Sequence, residues 1–279
     1  MQLGIFAKTF EGTDAATVLA AVKAAGYGAT QFNMACLGLP SMPDAIAPEA
    51  AASVTAAVRE TGIAVVAVSG TYNMIHPDPA VRATGLARLE VLAAASAGLG
   101  TGLVTLCTGT RDAHDQWRHH PDNASPEAWR DLLVEMTKAA AIAERYGIDL
   151  GIEPELANVV SSAPLARRLI DEVASPRLKI VLDPANLFEV ASRAEQQRLV
   201  AGAIDLLADR IAMGHAKDRG PEGDFRTAGT GVLDYDFYLT RLAATGFDGP
   251  LITHGLAAHE AAGVAAFLSA KLAAIGAGR

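Results

Sequence analysis

The chain is predicted to fold as an α/β protein, a single closed (β/α)8 barrel running as one domain over residues 1–279, and three observations support this. Short apolar runs alternate with Ala/Leu-rich stretches from one end to the other, and eight such units can be counted. No long Pro/Gly/Ser-rich linker divides them into two domains. No Gly-x-Gly-x-x-Gly follows the first apolar run, where an open doubly wound sheet binding a dinucleotide would need it.

The strands are placed at 2–7, 29–34, 63–69, 102–108, 148–153, 178–183, 211–216 and 250–254. Between them the helix punctuation recurs. The first helix starts after the N-cap candidates Thr13 or Asp14 and ends at Gly26. The second covers 48–61, with Pro48 in its first turn and Gly62 just past its end. The third runs from Pro79 to Gly98 and the fourth from Ser125-Pro126 to Gly147; the remaining four fit 162–173, 193–208, 235–245 and 257–275. The long segments that belong to neither strand nor helix follow strands two, three, four and seven. In a barrel these lie at the carboxyl face, where active sites are built.

Composition narrows the function. Hydrophobic residues make up 51% of the chain and charged ones 19%, enough apolar material for a large core and unlike a disordered chain. The net charge of −8 and the absence of a Lys/Arg run argue against a nucleic-acid partner, although local arginines could still bind a small anion. Cys36 and Cys107 are isolated in apolar surroundings and read as buried thiols. No 18 apolar residues run unbroken and the first residues lack a signal-peptide pattern. The expectation is therefore a cytoplasmic protein with no membrane partner.

The chemistry is expected where four apolar runs end in a carboxylate or an imidazole. The runs are Asp149-Leu-Gly-Ile-Glu153, Leu178-Lys-Ile-Val-Leu-Asp183, Ile211-Ala-Met-Gly-His215 and Pro250-Leu-Ile-Thr-His254. Taken singly, Glu153 could be an exposed loop acid and His215 a satisfied core histidine. A carboxylate such as Asp183 at the end of a buried strand must be paired, hydrogen-bonded or metal-bound. Two carboxylates and two imidazoles meeting at one face form a donor mixture suited to Mn2+, Zn2+, Co2+ or Fe2+ rather than to Ca2+ or Mg2+. Lys217, two residues beyond His215, falls on the same side of its strand by alternation and reads as a charged substrate contact or a partner of Glu153 or Asp183, ahead of a Schiff-base lysine. Trp117 could stack on a sugar face and Arg111 could pair with a phosphate or carboxylate, while Arg226 could clamp an anion or be merely solvated.

Three of these motifs, Gly-Ile-Glu153-Pro, Val-Leu-Asp183-Pro-Ala-Asn186 and Gly-His215-Ala-Lys217-Asp218, resemble those of the xylose isomerase-like TIM-barrel superfamily. The resemblance runs the full length. It takes in Cys107-Thr-Gly-Thr-Arg111 with the loop to Asn123, and Gly229-Thr-Gly-Val-Leu-Asp234. It implies a sugar or sugar-phosphate isomerase or epimerase, working on a small carbohydrate with a divalent metal (Mn2+, Zn2+, Co2+ or Mg2+). Glu153 would be metal ligand and proton carrier, and Asp183 and His215 further ligands. It also implies substrate contacts at His76, and at Asn186, where a histidine often stands. The chain departs from the pattern at His254, which occupies the place of a second glutamate. His254 is read as a metal ligand or a second acid/base, or as the mark of a barrel without metal. A dehydratase of a cyclic polyol or keto-sugar and a non-catalytic carbohydrate-binding barrel are the alternatives, and a homo-oligomer is left open.

Overall fold

The structure, a computed structural model, describes residues 1–277. Eight parallel strands close into a barrel, each followed by a helix. The strands are β1 (Gln2–Phe6), β2 (Ala29–Phe32), β3 (Ala64–Ser69), β4 (Leu103–Cys107), β5 (Asp149–Glu153), β6 (Leu178–Leu182), β7 (Ile211–Ala216) and β10 (Pro250–Thr253). Around them lie α1 (Ala15–Ala24), α2 (Pro48–Thr61), α3 (Pro79–Leu99), α4 (Pro126–Tyr146), α5 (Ala163–Val173), α6 (Arg193–Leu207), α7 (Tyr235–Ala244) and α8 (Ala261–Ala277). A short antiparallel hairpin, β8 (Asp218–Arg219) and β9 (Phe225–Arg226), rises from the end of β7 and was not anticipated.

Several strands stop a residue early for a local reason. Asn33 and Asp183, placed within strands by the apolar pattern, instead cap the 3-10 turns that follow, accepting from the backbone N–H of Ala35 and Ala185. The third helix runs one residue beyond Gly98. Gly98 is helical, its absent side chain letting α3 approach Ala51 of α2, and Gly100 at φ +82° ends the helix. The segment Ala258–Gly276 has the length and mean hydropathy, 1.2, of a membrane span. It is nonetheless the last helix of the barrel ring. Ala261, Val264, Ala265 and Leu268 face the core, and Lys271 pairs with Asp236 of α7.

The core divides by strand face. One set of side chains packs between barrel and helices, and a smaller cluster of Ala67, Leu103, Val181, Met213 and Ile252 fills the barrel interior. Gly151 belongs to the same level, since a Cβ there would come within 2.8 Å of Val181 and 3.3 Å of Leu103. Strand side chains alternate, so the next interior residue lies two positions on. From this apolar layer that step leads to Ser69, Thr105, Glu153, Asp183, His215 and His254. The hydrophobic plug is thus the floor on which the polar residues stand.

Candidate active site and metal centre

The step from plug to rim brings the four expected residues together. Glu153, Asp183, His215 and His254 each offer a ligand atom, and these atoms all lie within 4.8 Å of one another. They form a chain of contacts. His215 Nδ1 is 3.2 Å from Glu153 Oε1, and His254 Nε2 is 3.2 Å from Asp183 Oδ2. The two imidazole rings stand 4.5 Å apart. Lys217 Nζ lies 3.4 Å from the same Asp183 Oδ2.

The surrounding amides fix which nitrogen does what. Gln31 on β2 donates from Nε2 to Thr105 Oγ1, so its Oε1 accepts from His215 Nε2–H at 3.1 Å. His215 therefore turns Nδ1 into the cluster. A ring held by its other nitrogen in this way is the usual support of a metal-ligating histidine. Asn186 donates from Nδ2 to Glu153 Oε1 at 2.9 Å, leaving Oε2 as the uncommitted oxygen of that carboxylate.

Burial and charge compete throughout. Burial opposes ionisation of Glu153, but the positive charge and hydrogen bond of His215 outweigh it and hold the carboxyl below its ordinary range. Asp183 is held far lower still, since Lys217 and then His254 overcome its desolvation. His215 is raised, because Glu153 more than offsets the burial that disfavours its charge. His254 is lowered, by burial first and then by the charge of His215. His254 is thus the neutral imidazole of the pair, giving its Nε2–H to Asp183 and keeping a free Nδ1 lone pair.

Glu153, His215 and His254 line a cavity of about 880 Å3 at the carboxyl end of the barrel, with Gln31, Thr105, Glu155, Lys217, Arg219 and Phe225 among its walls, and the buried Asp183 lies behind them. Trp117, 53% exposed, also faces it from the loop after β4. Asn186 is fully buried behind Glu153 and does not line the cavity. Three residues expected at the substrate lie elsewhere. Arg111 spends its guanidinium on the Ile75 carbonyl and Asp131. His76 is tied to the Ala113 carbonyl and the Asp78 N–H. Arg226 pairs with Asp224 on the outer side of the hairpin. Loops of this length fold back on themselves, and position in a loop does not say which side a long side chain takes.

Three residues of the site were missed. Gln31 interrupts an otherwise apolar strand, a signal visible in Ala29-Thr-Gln-Phe32. Glu155 sits two residues after Glu153, so the alternation used for Lys217 already pointed to it. Burial first, then the neighbouring charge of Glu153, push the Glu155 carboxyl up to about 7. Asp218, almost wholly buried, accepts from the backbone N–H groups of Arg219, Gly229, Gly231 and Leu233, and so pins the loop beneath the hairpin.

Comparison with known proteins agrees with this geometry. The family model of the xylose isomerase-like TIM barrel matches residues 19–269. The chain belongs to that family. No curated protein matches it in sequence. Among solved structures it resembles the Escherichia coli 3-keto-D-glucoside 4-epimerase in its apo form, at 18% identity over 97% of this chain and 99% of that one, with a TM-score of 0.76. It also resembles an L-ribulose 3-epimerase, at 18% identity over 98% and 95%, with a TM-score of 0.77. A third is the IOLI protein with a bound zinc atom, at 18% identity over 96% of each chain, with a TM-score of 0.72. At these identities the likeness is one of fold.

Proposed function

We propose that this barrel is an isomerase or epimerase of an uncharged keto-sugar, taking a proton from the carbon beside the carbonyl on the floor of its cavity and returning it either to the neighbouring carbon or to the opposite face of the same one. The observation that carries the reading is the convergence of Glu153, Asp183, His215 and His254 from four different strands onto one point of that floor. The sugar epimerases among its structural relatives, and the family itself, support it.

The donor set fits a divalent ion, since two carboxylate oxygens and two imidazole nitrogens stand within reach of one centre and Gln31 presets His215 for Nδ1 ligation. Glu153, Asp183, His215 and His254 would hold it. A divalent cation there supplies Lewis-acid stabilisation of the negative charge that develops on a carbonyl oxygen when the neighbouring C–H bond breaks. The chain's own residues supply the proton transfer. Glu153 has Oε1 engaged by Asn186 and His215, so Oε2 is the oxygen that takes the proton from carbon. In the place of a second glutamate, His254 keeps one free lone pair, on Nδ1, which is either the fourth ligand or, with the ion held by Glu153, Asp183 and His215 alone, the second acid/base.

The charges at the site favour a substrate without a phosphate. Arg111 and Arg226 are committed outside the cavity, Arg219 gives Nε and Nη1 to the carbonyls of Ala185 and Gly223, and Lys217 faces Asp183. Lys8 also lines the cavity, alongside the acids Glu153, Glu155 and Glu189. Among the described residues no bidentate phosphate clamp remains.

Incubation with ketoses and their phosphates in deuterated water tests the proposal. Deuterium should enter the carbon next to the carbonyl of an unphosphorylated sugar. Glu153→Gln should lower that exchange by about a thousandfold or more, with the fold retained by circular dichroism. Undiminished exchange in Glu153→Gln refutes the role of Glu153. Loss of water with a new conjugated-carbonyl absorbance would place the enzyme among dehydratases instead.

A further inference from the structure

Lys217 is the one permanent cation inside the cluster of candidate ligands, and its position is closely defined. Its stem passes Gly255, where even a Cβ would stand 3.4 Å from Lys217 Cδ, and Gly255 itself holds φ +73°. Its ammonium lies between two partners, Asp183 Oδ2 at 3.4 Å and the centroid of the Phe225 ring at 3.8 Å. The side chain is 7% exposed and that of Asp183 is not exposed at all. Asp183 Oδ2 is also the oxygen that faces His254 at 3.2 Å and His215 at 3.9 Å. The oxygen turned toward both histidines is therefore the oxygen the lysine neutralises.

We propose that Lys217 sets the metal affinity of the site, acting as an internal cation that shares Asp183 Oδ2 and makes the cluster a deliberately weak binder of divalent ions. The inference rests on the reading of Glu153, Asp183, His215 and His254 as a metal centre. With His254 in place of a second glutamate the ligand set holds two carboxylates instead of three, and Lys217 offsets the charge of one of them. The ligands then carry two negative charges against one fixed positive charge a few ångströms away, in surroundings where water screens poorly. Phe225 and the hairpin that carries it keep the ammonium from swinging out to solvent, so the offset is built in. Such a site exchanges its ion with the medium and responds to its concentration instead of holding the ion permanently.

The test is a Zn2+ titration by calorimetry, with ion content measured after dialysis, on the full chain and on Lys217→Gln, Lys217→Met, Lys217→Arg and Asp183→Asn. Lys217→Gln and Lys217→Met should bind Zn2+ at least about tenfold more tightly than the natural chain, the effect of deleting one charge beside the ion. Lys217→Arg should stay weak. Two neutral replacements guard against one that fails to fold, which circular dichroism reports. Binding lost in Asp183→Asn but unchanged or weakened in both neutral variants overturns the role of Lys217 and leaves the metal centre standing. A natural chain that takes up no Zn2+, while Lys217→Gln does, supports the proposal in its strongest form. Absence of binding in every variant overturns the metal centre and this inference together.

Discussion

The two halves of the barrel mouth are built from different chemistry. The carboxyl ends of β5, β6, β7 and β10 present Glu153, Asp183, His215 and His254, whereas the matching interior positions on β2, β3 and β4 carry Gln31, Ser69 and Thr105. One half is charged and the other is neutral and hydrogen-bonding. The halves are joined by a single relay, Thr105 to Gln31 to His215. The difference shows a division of labour: the charged half holds the groups that can bind a cation and move a proton, and the neutral half decides how the imidazole at the junction is turned.

Removing a charge from the first half should have the largest effect. Asp183 is buried and faces Lys217, His254 and His215, so Asp183→Leu leaves cations without their counter-charge. Breaking a buried pair of this kind costs about 3–5 kcal/mol, and urea denaturation should show a loss of that order with exchange activity abolished. A loss under about 1 kcal/mol would mean that the cations escape to solvent and that the charged half is less enclosed than its burial indicates.

Breaking the relay from the neutral side should act more gently and in a different currency. Gln31→Ala frees His215 Nε2 without touching any candidate ligand, and the loss of such a supporting hydrogen bond typically costs about 10–100-fold in metal affinity or turnover. The readout that separates positioning from mere stability is the Zn2+ dissociation constant, together with rescue by Gln31→Glu, which restores an acceptor for the Nε2–H. An unchanged constant in Gln31→Ala would dissolve the distinction between the halves.

The barrel and most of the charged half could be read from the sequence because each rests on a local regularity. An apolar run ending in Glu153 or Asp183 needs only the strand period to be recognised, and the plug residues Val181 and Met213 lie two positions before Asp183 and His215. The relay could not be read so easily. Gln31 acquires meaning only when β2 is known to lie across the barrel from β7, a fact of closure that no local pattern contains. Arg111 shows the converse limit, since a long flexible side chain in a loop finds its carboxylate, Asp131, by tertiary folding, whereas Arg226 is taken up by its close neighbour Asp224. Glu155 is legible by the same alternation that points to Lys217, since it stands two positions after Glu153.

Glu155 gives the comparison a pH signature. Its carboxyl is pushed up to about 7 from an ordinary value of 4.5, by burial first and by Glu153 second. The folded protein thus prefers Glu155 protonated. Its contribution to stability is fully present below pH 4.5 and is lost as the pH rises toward 7. In the presence of a chelator, denaturation midpoints between these values should fall with pH by an amount worth roughly 1–2 kcal/mol. Glu155→Gln should flatten that slope, and an unaltered slope in the variant would assign the pH dependence to another group.

The smallest effect is expected at the edge, where neither half is in play. Trp117 faces the cavity from the loop after β4 and is half exposed, while the other tryptophan, Trp129, is buried on α4 beside Glu172. Trp117→Ala removes a stacking surface of about 1 kcal/mol at most for a partly solvated ring, so KM should rise several-fold with kcat unchanged. The same arrangement makes Trp117 the reporter of sugar binding, because quenching of its emission should vanish in Trp117→Ala while Trp129 continues to emit. A fall in kcat with KM unaltered would move Trp117 from the rim to the reacting centre, and would require the loop after β4 to close over the charged half during turnover.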